Sequence, residues 1–249
     1  MVKDRTRGRR LAVGAACVTG AALLAANLPG IAIARTVVGD FQVFWIPSNS
    51  MVPTLMPREG ILAEMDGDPS PRPGEIVIIA VKDEFWIKRV VAIGGDRIAV
   101  RRGIPIVNGV AAEQTFQRTI TKFTYGDPGQ NEARVLTEHL PGEAGRHCVI
   151  DLGASPGDDF PEQVVPDGHV FVMGDNRDNS ADSRFPESDM GLGMVPVEHL
   201  LGRAHSIVLS ADRTRIRQSL LPPTGGSTAP PECIAQMIRP GRSLSRDRN

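Results

Sequence analysis

The hydrophobic positions fall into three regimes along the chain. Residues 11–34 form an uncharged run, preceded by Lys3, Arg5, Arg7, Arg9 and Arg10 and followed by Arg35. A helix needs about 20 apolar residues to cross a bilayer, so the run predicts a transmembrane anchor. The cations ahead of it predict a cytoplasmic basic tail at 1–10 and export of everything after the anchor. Gly14, Gly20 and Pro29 weaken the helix, and Pro29 kinks or ends it. A cleaved signal peptide competes with a permanent anchor, because Ala32-Ile33-Ala34 has the form of a cleavage site. Its apolar core, however, is shorter, at about 7–15 residues. A buried core helix would not need the basic flank.

From residue 41 the apolar runs become short and are separated by Gly, Pro and Asp turns. Gly60-Ile61-Leu62-Ala63-Glu64 predicts a short strand, and Glu75-Ile76-Val77-Ile78-Ile79-Ala80-Val81 a central one. Residues 85–93 return as a second long strand, 97–100 as another, and Asn108-Gly109 after 104–107 predicts a hairpin. Residues 169–173 restore a core strand, 197–202 suggest one helical turn, and 203–209 a final strand. The pattern predicts a mainly β protein: a β-domain from 41–100 and 168–210, an inserted β-lobe with long loops at 101–167, and a disordered tail at 222–249.

Composition agrees with this. Twenty prolines and 26 glycines against 4% aromatics favour a turn-rich β fold over a helical bundle, and 41% apolar residues suffice for a packed core. A formal net charge of −1 gives no basis for nucleic-acid binding. Cys17, Cys148 and Cys233 have no zinc-site spacing. Cys17 falls in the apolar run, and pairing of Cys148 with Cys233 stays open, conditional on an oxidising compartment. His139, His147, His169, His199 and His205 are scattered, which favours core or surface roles over catalysis.

Three stretches carry candidate chemistry. The first is Phe44-Trp45-Ile46-Pro47-Ser48-Asn49-Ser50-Met51-Val52-Pro53-Thr54-Leu55. It sets two hydroxyls, each a potential nucleophile or donor, in a proline-stiffened backbone that predicts an extended or irregular strand. The second is Lys88, in an apolar strand on the face of Trp86 and Val90. A lysine there either snorkels to water or is desolvated, and a desolvated neutral amine can take a proton from a serine. Arg89 cannot, because guanidinium does not deprotonate. The third is the polar run Gly174-Asp175-Asn176-Arg177-Asp178-Asn179-Ser180-Ala181-Asp182-Ser183-Arg184. A calcium loop fits it poorly, since the glycine required at the sixth position is Ser183. No metal or other cofactor is expected.

Together these stretches resemble the type I signal peptidases, the bacterial leader peptidases of serine family S26 that use a Ser-Lys dyad. Ser48-x-Ser50-Met51-x-Pro53-Thr54-Leu55 is similar to the nucleophile motif, and Ile87-Lys88-Arg89-Val90-Val91-Ala92-Ile93-Gly94-Gly95-Asp96 to the general-base motif. Pro73-Gly74-Glu75-Ile76-Val77, the run 174–184 and Gly191-Leu192-Gly193-Met194-Val195-Pro196 follow in the family's order. Asn49 stands where glycine is usual and Gly94 where proline is common.

The resemblance implies Ser50 as nucleophile and Lys88 as general base. It implies that Ser48 lends its hydroxyl to the oxyanion hole, that Ser180 hydrogen-bonds and orients Lys88, and that Asp182 and Arg184 form a supporting ion pair. The implied protein is a monomeric, single-pass endopeptidase on the outer face of a bacterial cytoplasmic membrane, in contact with lipid. Its substrates would be secretory preproteins with Ala-x-Ala signal peptides, bound through residues the sequence does not identify. A specialised peptidase of the same mechanism, an inactive anchored binder of exported chains and a self-cleaving regulator are the rival readings. Intact Ser50, Lys88 and Ser180 argue against the binder, and an apolar N-terminus in place of a DNA-binding segment argues against the regulator.

Overall fold

The computed structural model describes residues 36–38, 40–65, 70–121, 132–221 and 233. The anchor expected at 11–34 and nearly all of the tail expected at 222–249 lie outside them. No helix among the described residues is long and apolar enough to cross a membrane.

The described chain is mainly β, as its short apolar runs predict. In order the strands are β1 (Thr36–Val38), β2 (Phe41–Trp45), β3 (Gly60–Glu64), β4 (Ile76–Val81), β5 (Glu84–Ile93), β6 (Arg97–Arg101), β7 (Ile104–Val107) and β8 (Val110–Ala111). They continue as β9 (Glu113–Thr121), β10 (Glu132–His139), β11 (His147–Asp151), β12 (Phe160–Val164), β13 (His169–Met173), β14 (Val195–Pro196) and β15 (Leu200–Leu209).

Eight strands form an antiparallel sheet in the order β1-β2-β3-β15-β4-β5-β13-β14. Its faces explain the sequence pattern. Along β4, Ile76 and Ile78 join a cluster with Phe44, Ile61, Ala204 and Ile207, whereas Val77 and Ile79 join another with Val90, Val170, Val172 and Val195. Both faces of β4 are covered, so its sequence is continuously apolar instead of alternating. The last strand, β15, inserts between β3 and β4. It can do so because residue 202 is glycine: a Cβ there would collide with the Glu64 carbonyl.

Between β5 and β13 the chain builds two further sheets, β12-β6-β7-β8 and β11-β10-β9. Asn108 and Gly109 make the β7–β8 turn with φ of 52° and 80°, the left-handed pair that this dipeptide favours. Val91 of β5 and Phe171 of β13 pack with Ile98, Val100, Val107 and Leu140, which joins this region to the main sheet. Cys148 of β11 is disulfide-bonded to Cys233.

The serine stretch departs from the extended form expected of it. It is a series of turns within the loop 46–59. The reason is topological: β2 and β3 pair directly and antiparallel, Trp45 opposite Gly60, so the chain between them must reverse. The loop closes at its neck, where the Ile46 amide donates to the Glu59 carbonyl and the Arg58 amide to the Ile46 carbonyl, both at 2.8 Å. Met51 and Leu55 then fill the cluster around Phe44, and Val52 packs on Ala133 and Ile150 of the three-stranded sheet.

Ile61 is fully buried opposite Phe44, at the root of this loop. Ile61→Ala is expected to lower unfolding free energy by about 2–5 kcal/mol, through lost burial and a residual cavity. Urea denaturation followed by tryptophan fluorescence measures it.

Candidate active site

Two elements bring the central pair together. The loop 46–59 carries Ser48, which is exposed, and Ser50, which is half-buried. Strand β5 carries Lys88, which is 3% exposed. Lys88 Nζ lies 3.0 Å from Ser50 Oγ and donates a second hydrogen bond to the Ile87 carbonyl at 3.3 Å. Ser48 Oγ is 3.2 Å from Ser50 Oγ, so both hydroxyls and the amine share one small space. Alternation along β5 places Trp86 beside Lys88, with Nζ 5.4 Å from the indole centroid.

The polar run 174–184 leaves β13 and passes directly against the serine loop. The Asn176 amide donates to the Ser50 carbonyl at 3.0 Å, and Asn176 Nδ2 to the Asn49 carbonyl at 3.2 Å. The contact is close because residue 174 lacks a side chain: a Cβ on Gly174 would collide with the Ser50 carbonyl oxygen and the Ser180 hydroxyl. Asp182 and Arg184 form a buried two-bonded pair, Nε to Oδ1 and Nη2 to Oδ2, each at 2.9 Å. Asp182 Oδ2 also accepts from the Gly174 amide at 3.0 Å.

Ser180 differs from its expected role. Its Oγ is buried and has no hydrogen-bond partner, so the expected bond to Lys88 is not formed. Lys88 instead uses Ser50 and the Ile87 carbonyl. Ser180 packs closely against Gly174, where an added Cβ would collide with its hydroxyl.

Several supporting residues escaped the sequence reading. Arg89, next to Lys88, pairs with Asp175 through two bonds of 2.8 and 2.7 Å and donates to the Gly74 carbonyl at 2.6 Å. Thr54 of the serine loop donates to the same carboxylate at 2.5 Å. Arg177 pairs with Glu138 of β10, and His147 lies between Glu138 at 3.2 Å and Glu143 at 2.9 Å. The available signal was a charge amid apolar neighbours, as with Arg89; Glu138, in a strand with several other polar residues, gave none. A cavity of about 420 Å³ lined in part by Arg102, Arg134, Arg177 and Asp178 includes neither Ser50 nor Lys88. Among the described residues, no cluster of His, Cys, Asp and Glu is placed to hold a metal.

Burial pushes the Lys88 amine down to about 8, against the charges of Asp182 and Asp175, which favour the ammonium. Burial alone would raise the Asp182 carboxyl, but Arg184 and the Gly174 amide hold it below the usual range. Arg89 does the same for Asp175. Both carboxylates therefore stay ionised and paired. An amine titrating near 8 is partly neutral at neutral pH and can accept a proton from the hydroxyl it touches.

Residues 15–209 match the family described as signal peptidase, peptidase S26. The chain is 30% identical over 200 residues to signal peptidase I of Aquifex aeolicus, an overlap covering 68% of this chain and 76% of that protein. It is also 30% identical over 193 residues to signal peptidase I of Pseudomonas aeruginosa, covering 68% of this chain and 65% of that protein. The crystal structure of a signal peptidase I from Enterococcus faecalis overlaps 54% of this chain and 96% of its own, at 19% identity and a TM-score of 0.30.

The lowered amine makes a signed prediction. Below pH about 8 native and unfolded Lys88 are both protonated, and the penalty for a buried ammonium stands in full. Between there and the ordinary lysine value of about 10.4 only the unfolded chain holds the proton, so this group makes stability rise with pH. Lys88→Met is expected to be more stable than wild type at pH 7. The gap should close above pH 8 by at most about 1.4 kcal/mol per pH unit, in denaturant titrations across pH.

Proposed function

The chain belongs to the signal peptidase family, peptidase S26, and is a serine endopeptidase; we propose that it removes N-terminal signal peptides from exported proteins, with Ser50 as nucleophile and Lys88 as general base. The observation that carries this is the 3.0 Å contact between Ser50 Oγ and an amine that is 3% exposed. In water a lysine is fully protonated at neutral pH and useless as a base; desolvation here brings it into range.

Neutral Lys88 takes the Ser50 proton as Oγ attacks the scissile carbonyl carbon. The resulting oxyanion is met by the Ser50 amide and the Ser48 hydroxyl. The Lys88 ammonium then gives its proton to the leaving amine, the C–N bond breaks, and an acyl-enzyme ester remains on Ser50. Water, deprotonated by Lys88, hydrolyses that ester and restores the hydroxyl. Ser48 suits the oxyanion role because its hydroxyl is already 3.2 Å from the attacking oxygen. Asp182 and Arg184 hold the run 174–184 in shape, and Ser180 offers a second partner for Lys88 when Ser50 is acylated.

The substrates on this reading are preproteins with small residues in an Ala-x-Ala pattern. They are cut on the outer face of a bacterial cytoplasmic membrane by a monomeric, single-pass enzyme. The anchor is the uncharged run 11–34 with its basic flank at 1–10. On this reading the catalytic groups are carried on the eight-stranded sheet and on the segments leaving it at Trp45 and Met173.

The test is cleavage of an Ala-x-Ala precursor by purified full-length chain in detergent. Ser50→Ala and Lys88→Met are expected to fold and to lose activity by on the order of 10⁴-fold or more. Ser48→Ala should lose about 10²–10³-fold in kcat. For wild type, kcat/KM should rise with pH through a midpoint at about 8, as Lys88 deprotonates. Cleavage retained by Lys88→Met would overturn the base assignment.

A further inference from the structure

The segment that follows β15 lies just past the family match, which ends at residue 209. It folds back along β15 as a strap. Ser219 bridges antiparallel to Ser206, the Arg217 amide donates to the Ile207 carbonyl at 2.7 Å, and the Leu220 amide to the His205 carbonyl at 2.9 Å. Leu220 joins the same cluster as Ile46, Met51 and Leu55 of the serine loop.

At the turn of this strap stands Arg215, 2% exposed. Its guanidinium grips the serine loop twice. Nη2 and Nε bind the Glu59 carboxylate at the loop's neck, at 2.8 and 2.5 Å, and Nη2 also donates to the Thr54 carbonyl at 2.8 Å. Glu59 is itself oriented by the Met56 amide at 2.8 Å and by the Ser210 hydroxyl at 2.7 Å. A buried guanidinium has to place its donors on acceptors, and a planar fork sets both acceptors in one geometry. Thr54 is the residue whose hydroxyl reaches Asp175, so Arg215 and Asp175 hold the loop at one residue from two sides.

We propose that Arg215 is a positioning residue for the peptidase reaction: by tying the Glu59 neck to the Thr54 carbonyl, it holds the serine loop in the conformation that places Ser50 on Lys88. This rests on Ser50 being the nucleophile. Arg215 touches no reacting atom, so its removal acts through the loop. Misplacement of a nucleophile by about 1 Å costs on the order of 10²-fold in rate.

The experiment compares full-length wild type, Arg215→Met, Arg215→Lys and Arg203→Met in detergent. Arg203→Met breaks another largely buried pair of the main sheet, Arg203 with Glu75 at 3.1 Å. Two readouts are taken below the onset of unfolding: precursor cleavage, and hydrogen–deuterium exchange of the 46–59 amides. Arg215→Met is expected to lose about 10–100-fold in kcat with little change in KM. Its Val52 and Leu55 amides, which donate within the loop, should exchange at least about 10-fold faster. Arg215→Lys should recover part of both, and Arg203→Met should show neither.

Unchanged kcat and loop exchange in folded Arg215→Met would overturn the proposal. So would a loss that merely tracks the unfolded fraction, or an equal effect in Arg203→Met. If Arg215→Met fails to fold, Arg215→Lys decides in its place, because one ammonium cannot reproduce the fork. Should wild type leave the precursor uncut, the proposed function falls, while loop exchange still decides the role of Arg215.

Discussion

An amine cannot be buried as an ammonium without cost, and the region around Ser50 is arranged under that constraint. Lys88 is almost fully covered, and burial brings it to about 8. Two carboxylates, Asp182 and Asp175, lie close enough for their charges to pull it back up. Left unpaired in a poorly screened interior, they would favour the ammonium strongly and remove the base. Each instead carries its own arginine, Arg184 and Arg89, in two-bonded pairs. The pairs fix geometry, and Arg184 also pushes the amine down, against the larger upward pull of the two carboxylates.

This gives the buried ion pairs a role other than stability. Such pairs often contribute little net folding energy, because desolvation consumes the Coulomb gain. What they supply here is connection between elements distant in the chain. Arg89 with Asp175 ties β5 to the run 174–184, and Thr54 brings the serine loop onto the same carboxylate. Arg177 with Glu138 ties that run to β10. Arg184 also donates to the Gly157 carbonyl, in the segment leading into β12. The polar run thus bonds to the eight-stranded and three-stranded sheets and to the segment that leads into the third.

The strands and the polar run were legible in the sequence because their signals are local. A strand covered on both faces reads as an apolar run, as at β4; Asn108-Gly109 reads as a left-handed turn; a charge amid apolar neighbours, as at Lys88, stands out. The loop conformation was not legible. Pro47 and Pro53 bias their neighbours toward extended backbone, and the pairing of β2 with β3 overrides that bias by forcing a reversal. The pairs Arg89–Asp175 and Arg215–Glu59 join residues 86 and 156 positions apart, and nothing in local pattern matches such partners. Cys148 and Cys233, 85 positions apart, are the same case. Residues 11–34 carry the strongest local signal of all and fall outside the described chain.

Ser180 shows where family expectation and geometry part, and why the difference is informative. A buried hydroxyl without a partner is costly, and native structures keep few of them. This one sits against Gly174, whose missing side chain also admits the Ser50 carbonyl. In the described state Lys88 has Ser50 Oγ as a partner and does not need a second hydroxyl. On the proposed mechanism that changes on acylation: Ser50 Oγ becomes an ester oxygen, a poorer acceptor, while Lys88 must still be held in place to activate water. A hydroxyl already desolvated and unspent can then bond the amine without first giving up another partner.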